Sequence, residues 1–195
     1  MDAYSLYFDG ACEPKNPGGI GTWGFVLLRG KEVIAQEYGN IGEGEGVTNN
    51  VAEYNAMLMG LQLARDTLKS GDKLVVYGDS QLAIKQMNGR YNVNSDRIRH
   101  FYKLATSMAK VVKQNGVSVS FEWIPREQNE KADELSHTAF VEYCAAHGRD
   151  YHPCTCGGTL VKRTNRKTGG SFYGCSRYPK CKKTKEVEVA CPSSE

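Results

Sequence analysis

The sequence predicts an α/β protein in which a mixed five-stranded sheet carries helices on its faces, followed by a second, much smaller domain. Three observations support that reading. Apolar and aromatic runs of strand character crowd residues 4–40, helical and strand patterns alternate from there to about residue 148, and charge and cysteine usage change abruptly near residue 150.

The elements follow in order. "YSLYFDG" is the first strand and ends on a bare carboxylate, Asp9, before a turn-rich stretch with two prolines. "GTWGFVLLRG" and "KEVIAQEYGN" are the second and third strands, joined as a hairpin around Arg29-Gly30-Lys31. After the loop "IGEGEGV", Thr48 is placed to cap a long helix, "NNVAEYNAMLMGLQLARDTLKSG", which Gly71 ends. "KLVVYGDS" is a short apolar strand that again ends on an acid, Asp79. "QLAIKQMNG" and "SDRIRHFYKLATSMAKVVKQNG" read as helices, "VSVSFEWIP" as the fifth strand, and "EQNEKADELSHTAFVEYCAAHG" as a closing helix that stops at Gly148. Antiparallel strands first and alternating elements afterwards make the sheet mixed.

Composition narrows the class. An apolar content of 40% suffices for a core, and no run of eighteen apolar residues is present. "MDAYSLYFDG" lacks the basic-then-apolar layout of a signal peptide, so a soluble, cytoplasmic monomer without a membrane segment is expected. Of seven cysteines, five (Cys154, Cys156, Cys175, Cys181 and Cys191) fall in the last quarter, a crowding that points to metal ligation rather than a disulfide framework. Residues 1–150 hold 16 Lys and Arg against 19 Asp and Glu, net −3, whereas residues 151–195 hold 9 against 3, net +6. A basic tail of that kind suits a polyanionic partner. We place the first domain at residues 1–148, a linker at 149–152 and the second domain at 153–190.

Four acids stand out. Asp9 and Asp79 each close an apolar strand. Glu53 lies in the first turns of the long helix on the face of Met57, Gly60 and Ala64, and Asp133 opens the closing helix on the face of His137 and Phe140. Any one of them alone reads as a cap or a solvated turn residue. Together, carboxylates that converge repel one another and raise each other's pKa unless a divalent cation neutralises them.

The company each acid keeps is more specific. "FDGAC", "NPGGIGTWGFVL", "TNNVAEYNAM", "YGDSQLAIKQMNG" and "IPREQNEKADELS" resemble the successive motifs of type 1 ribonuclease H over residues 3–145. The resemblance implies the ribonuclease H-like fold, and hydrolysis of the RNA strand of an RNA/DNA hybrid with two Mg²⁺ (or Mn²⁺) held by Asp9, Glu53, Asp79 and Asp133. It implies that Asp9 bridges the two ions and Asp133 serves the looser one. It also implies that Asn16, Asn50 and Gln81 reach the minor groove of the hybrid and that Thr48 and Asn49 grip a DNA phosphate, with Thr48 doubling as a helix cap. RNA is told from DNA mainly through its 2′-hydroxyls, so little sequence preference is expected.

Two departures from well-known bacterial members are visible. The loop before the last acid, "IPREQNEKAD", holds no histidine, leaving Arg126 or Glu127 for product release and Arg126 as a substrate contact. This version is similar to the retroelement-like and archaeal branches. The basic protrusion of the bacterial enzymes is reduced to "MNGRYNVNSDRIRH", with Arg90, Arg97 and Arg99 alone.

The tail segment "CTCGGTLVKRTNRKTGGSFYGCSRYPKCKK" is similar to the C-terminal zinc ribbons of type IA DNA topoisomerases. That likeness implies one structural Zn²⁺, for which Cys154, Cys156, Cys175 and Cys181 are the first choice. The usual C-x-x-C is here C-x-C, with Pro153 at the expected cysteine, so His152 and Cys191 stand as substitute ligands. Lys162, Arg163, Arg166, Lys167, Arg177, Lys180, Lys182 and Lys183 interleave with Phe172, Tyr173 and Tyr178, a mixture suited to phosphate contact and base stacking. A protein partner is the other reading of the ribbon. The competing reading of the whole chain is a non-catalytic hybrid-binding module, against which the four intact acids weigh.

Overall fold

The computed structural model describes residues 1–149, 151–156 and 158–186. The chain forms two compact units, Met1–Tyr143 and Cys144–Glu195.

The first unit is built on a five-stranded sheet. Strands β1 (Ala3–Glu13), β2 (Ile20–Arg29), β3 (Glu32–Glu43), β4 (Lys73–Gly78) and β5 (Ser118–Trp123) lie in the order β3-β2-β1-β4-β5. β1–β2 and β2–β3 are antiparallel, β1–β4 and β4–β5 parallel, so the sheet is mixed as the order of elements led us to expect. Helices α1 (Asn49–Thr67), α2 (Gln81–Met87), α3 (Asp96–Gln114) and α4 (Glu130–Ala146) complete the fold. The core gathers Leu6, Phe8, Phe25, Leu27, Tyr54, Met57, Leu61 and Val76, all essentially without exposure. Each large aliphatic or aromatic side chain so buried contributes about 1.5–3 kcal/mol. α3 buries one stripe, Ile98, Ala105, Ala109 and Val112, and turns its charged residues outward.

Several boundaries differ from expectation, three of them for a clear physical reason. β1 does not stop at Asp9: β2 pairs with it as far as Glu13↔Ile20, so its backbone stays extended. It is β4 that stops, the last parallel pair being Tyr7↔Tyr77. α1 ends at Thr67 rather than at Gly71, because Leu68 turns to an extended conformation with its side chain buried. The closing helix begins at Glu130 rather than Glu127. Arg126–Gln128 form a 3₁₀ turn, and Asn129 is 1% exposed with its amide committed to the Phe8 carbonyl.

The second unit contains a four-stranded antiparallel sheet, β6 (His152–Pro153), β7 (Thr159–Thr164), β8 (Ser171–Cys175) and β9 (Thr184–Glu186), in sequence order. β6 starts within the stretch read as linker. Little apolar area is available to a sheet this small, and four cysteines gather at one end of it.

Candidate active site and cysteine cluster

Asp9 sits where the sheet opens. Beyond Tyr77 no strand among the described residues covers β1 on the β4 side, and Asp9 lies two residues past that last pair, while Asp79 follows directly on β4. α1 delivers Glu53 across the same gap. Its approach depends on Gly10, where a β-carbon would lie 2.2 Å from the Ala52 carbonyl carbon and the Glu53 nitrogen. Carboxylate oxygens of Asp9, Glu53 and Asp79 all lie within 4.8 Å of one another. Asp133, in the first turn of α4, is not part of that cluster; its carboxylate pairs with Arg126, which is half exposed.

The cluster is electrostatically strained as it stands. Burial pushes the Asp9 carboxyl up to about 7; a hydrogen bond from Ser136 works against this, Asp79 and Asp133 add to it, and Arg126 partly offsets it. Glu53 is raised well above the usual carboxylate range, by burial first and then by Asp9 and Asp79, with Arg126 and the Gly10 N–H opposing. Its Oε2 is buried without a hydrogen-bond partner among the described residues. An all-oxygen donor set, mutually repelling and holding an orphaned buried oxygen, fits a hard divalent cation such as Mg²⁺ or Mn²⁺.

The other expected contacts are distributed around this cluster. Thr48 caps α1, its hydroxyl accepting from the Val51 N–H at 3.2 Å. Asn49 and Asn16 are exposed and linked: the Asn49 N–H donates to Asn16 Oδ1 at 3.2 Å, and Asn49 Oδ1 accepts from the Cys12 N–H at 2.7 Å. Asn50 is exposed beside them, and Gln81 is exposed at the start of α2, accepting from Lys85 at 3.2 Å.

Sequence reasoning missed two positions. Asn129 donates to the Phe8 carbonyl at 2.8 Å and to Asp79 Oδ1 at 3.4 Å, tying the two acid-bearing strands together. Ser136, 2% exposed, donates to Asp9 Oδ2 at 2.5 Å. Their spacing from Asp133, four before and three after, is helical and was the available signal.

In the second unit, the sulfurs of Cys154, Cys156, Cys175 and Cys181 lie within 4.8 Å of one another, with neighbouring pairs 3.5–3.7 Å apart. Four soft thiols at that separation fit one tetrahedral Zn²⁺. The Cys156 N–H directed at the Cys154 sulfur draws that thiol down to about 7, whereas burial pushes Cys175 up to about 12. His152 does not join the group; its ring packs edge-on against Tyr173 with centroids 4.2 Å apart. Cys191 lies outside the described residues. Two of the expected phosphate-binding cations are engaged in bracing the cluster, Arg163 on the Cys175 carbonyl at 3.2 Å and Arg177 on the Cys156 carbonyl at 2.7 Å. Tyr178 is 62% exposed, and Lys162, Arg166, Lys167, Lys180, Lys182 and Lys183 are exposed.

Relatives place this arrangement in a family. Residues 7–139 match the reverse transcriptase-like family and residues 154–189 the topoisomerase DNA-binding C4 zinc finger. The chain belongs to the reverse transcriptase-like family, with the ribonuclease H fold in its first unit and a topoisomerase-type ribbon behind it. The ribonuclease HI of Halobacterium salinarum is 36% identical over 139 residues, covering 68% of this chain and 62% of that protein. A bifunctional protein of Mycobacterium tuberculosis, Rv2228c, is 32% identical over 140 residues, covering 71% of this chain but 36% of that protein, so the chain spans about a third of that relative. The solved N-terminal RNase H domain of the mycobacterial protein superposes with a TM-score of 0.65 at 29% identity, over 75% of this chain and 99% of that one. LC11-RNase H1, solved in complex with an RNA/DNA hybrid, gives 0.62 at 28% identity over 72% and 98%. No helix among the described residues is long and apolar enough to cross a membrane.

Proposed function

We propose that the protein is an endoribonuclease that hydrolyses the RNA strand of RNA/DNA hybrids, acting as a cytoplasmic monomer, with residues 1–148 catalytic, 149–152 a linker and 153–190 a nucleic-acid-binding zinc ribbon. The observation that carries the reading is the convergence of Asp9, Glu53 and Asp79 within 4.8 Å at the opening of a ribonuclease H-type sheet. Asp9, Glu53, Asp79 and Asp133 are the residues that would hold two divalent ions, which when bound would supply an activated water and stabilise the leaving 3′ oxygen of the phosphodiester. Asp9 would serve both ions, Glu53 and Asp79 would complete the inner ligands, and Asp133 would give up its Arg126 partner to serve the second ion. Asn49, its carbonyl oxygen already engaged by Cys12, presents its NH₂ and the α1 N-terminus to a DNA phosphate together with Thr48. Asn16, Asn50 and Gln81 line the path of the minor groove, and Arg126 meets the backbone of the scissile strand. A non-catalytic hybrid-binding role would not need an acid as buried and as costly as Glu53.

The test is incubation of the chain with labelled RNA/DNA hybrid, duplex DNA and duplex RNA, in Mg²⁺ and again in EDTA. Metal-dependent cleavage confined to the RNA of the hybrid is expected. Binding without cleavage would favour the non-catalytic module, and cleavage of duplex DNA would move the chain to another nuclease class.

A further inference from the structure

α4 comes unusually close to the sheet at one place. Asp9 pairs with Gly24 across β1 and β2, and at Gly24 a β-carbon would lie 2.5 Å from Leu135 Cβ, 2.7 Å from the Ser136 nitrogen and 2.9 Å from the Ala132 oxygen. The missing side chain lets the second turn of α4 settle onto the sheet opposite Asp9, which brings the Ser136 hydroxyl over the carboxylate.

That hydroxyl has one proton and two acceptors in reach. Oγ lies 2.5 Å from Asp9 Oδ2 and 3.0 Å from the Asp133 carbonyl oxygen. A serine inside a helix ordinarily returns its proton to a carbonyl three or four residues back. Here the shorter contact is to the carboxylate, at the length of a charge-assisted O–H···O⁻ bond. From this geometry we infer that Ser136 is a positioning residue for the metal centre, fixing the rotamer of Asp9 and leaving its second oxygen to the cluster. Hydrogen-bond partners that orient a ligating side chain typically change metal affinity by about 10- to 100-fold when removed. Ser136 is also the point at which the orientation of Asp9 and the backbone of Asp133 meet, so it couples the two ends of the acid set. This assignment rests on the metal-dependent nuclease reading.

The experiment is calorimetric titration of Mn²⁺ into the zinc-loaded full chain, comparing wild type, Ser136→Ala and Asp9→Asn, each checked for an unchanged far-ultraviolet spectrum. Ser136→Ala should bind Mn²⁺ about 10- to 100-fold more weakly. In cleavage assays its half-saturating Mg²⁺ should rise by a similar factor, while KM for the hybrid at saturating Mg²⁺ stays within about twofold, a split that a packing defect would not produce. Mn²⁺ affinity within about twofold of wild type in Ser136→Ala, with Asp9→Asn impaired, would overturn the role of Ser136 and leave the nuclease reading standing. Unchanged affinity in Asp9→Asn as well would overturn the metal site itself.

Discussion

Replacing Asp9 by asparagine removes a buried charge and preserves the size of the side chain, so metal-free stability and activity should move in opposite directions. In the folded protein the Asp9 carboxyl is raised from 3.8 to about 7, chiefly by burial. The folded state therefore holds this proton more tightly than the unfolded chain does. Below about pH 4 the group is protonated in both states and costs nothing; as pH rises towards 7 the stability it contributes is lost, and above that the loss is complete. At 1.36 kcal/mol per unit, the penalty relieved by Asp9→Asn is about 2 kcal/mol at pH 5 and about 4 kcal/mol at pH 8, the latter an upper bound because the site relaxes. The assay is urea unfolding of zinc-loaded, Mg²⁺-free protein, followed by fluorescence of Trp23 and Trp123, both of which lie in the first unit. The variant should be the more stable at pH 8 by at least about 1 kcal/mol, the gain should shrink at pH 5, and added Mg²⁺ should stabilise wild type alone. Cleavage of hybrid by the variant should be abolished. A variant less stable than wild type at pH 8, or a gain independent of pH, would refute the electrostatic account of the cluster.

Three further outcomes are expected. Gly10→Ala forces α1 away from β1 and should cost about 1–3 kcal/mol of stability. By displacing Glu53 it should also lower kcat about a hundredfold, and unchanged turnover would show that the close approach does not position the acid. Native mass spectrometry should find one Zn²⁺ per chain, lost in Cys175→Ser; protein without zinc would contradict the ribbon. Removing residues 152–195 should weaken hybrid binding and flatten its salt dependence by about 0.7–0.9 in log–log slope per lost phosphate contact, with kcat at saturating hybrid preserved. An unchanged KM and slope would turn the ribbon towards a protein partner.

The strands and helices were legible because their periodicity is local, and the acids because each stands in a distinctive motif. Their meeting was not, since it depends on β1 pairing in parallel with β4 and on how closely α1 passes Gly10, neither of which leaves a local trace. The end of β1 was misread for the same reason: "GACE" carries little strand character, yet long-range pairing with β2 holds it extended. Ser136 and Asn129 went unnoticed because a buried polar side chain in a helical stretch looks like an exposed one until its partner is known. Arg126, expected as a substrate contact, also pairs with Asp133, a contact hidden in the sequence because Arg126 lies in a 3₁₀ turn ahead of the helix. In the ribbon the C-x-C spacing left the ligand set open, and the fold brings all four first-choice sulfurs together.

Because β4 ends early, β1 has an inner edge in the middle of the sheet, a row of backbone groups with no strand beside it among the described residues. Such an edge invites an intruding segment to add itself as a strand. Here side chains from elsewhere occupy that edge: Asn129 on the Phe8 carbonyl and Asn49 on the Cys12 N–H, with the Glu53 backbone crossing at Gly10 between them. Asn129 and Asn49 thus also guard the edge against self-association, and substitutions that delete these contacts should bring aggregation as well as inactivity. Conservative amide replacements are the ones that separate chemistry from solubility at this site.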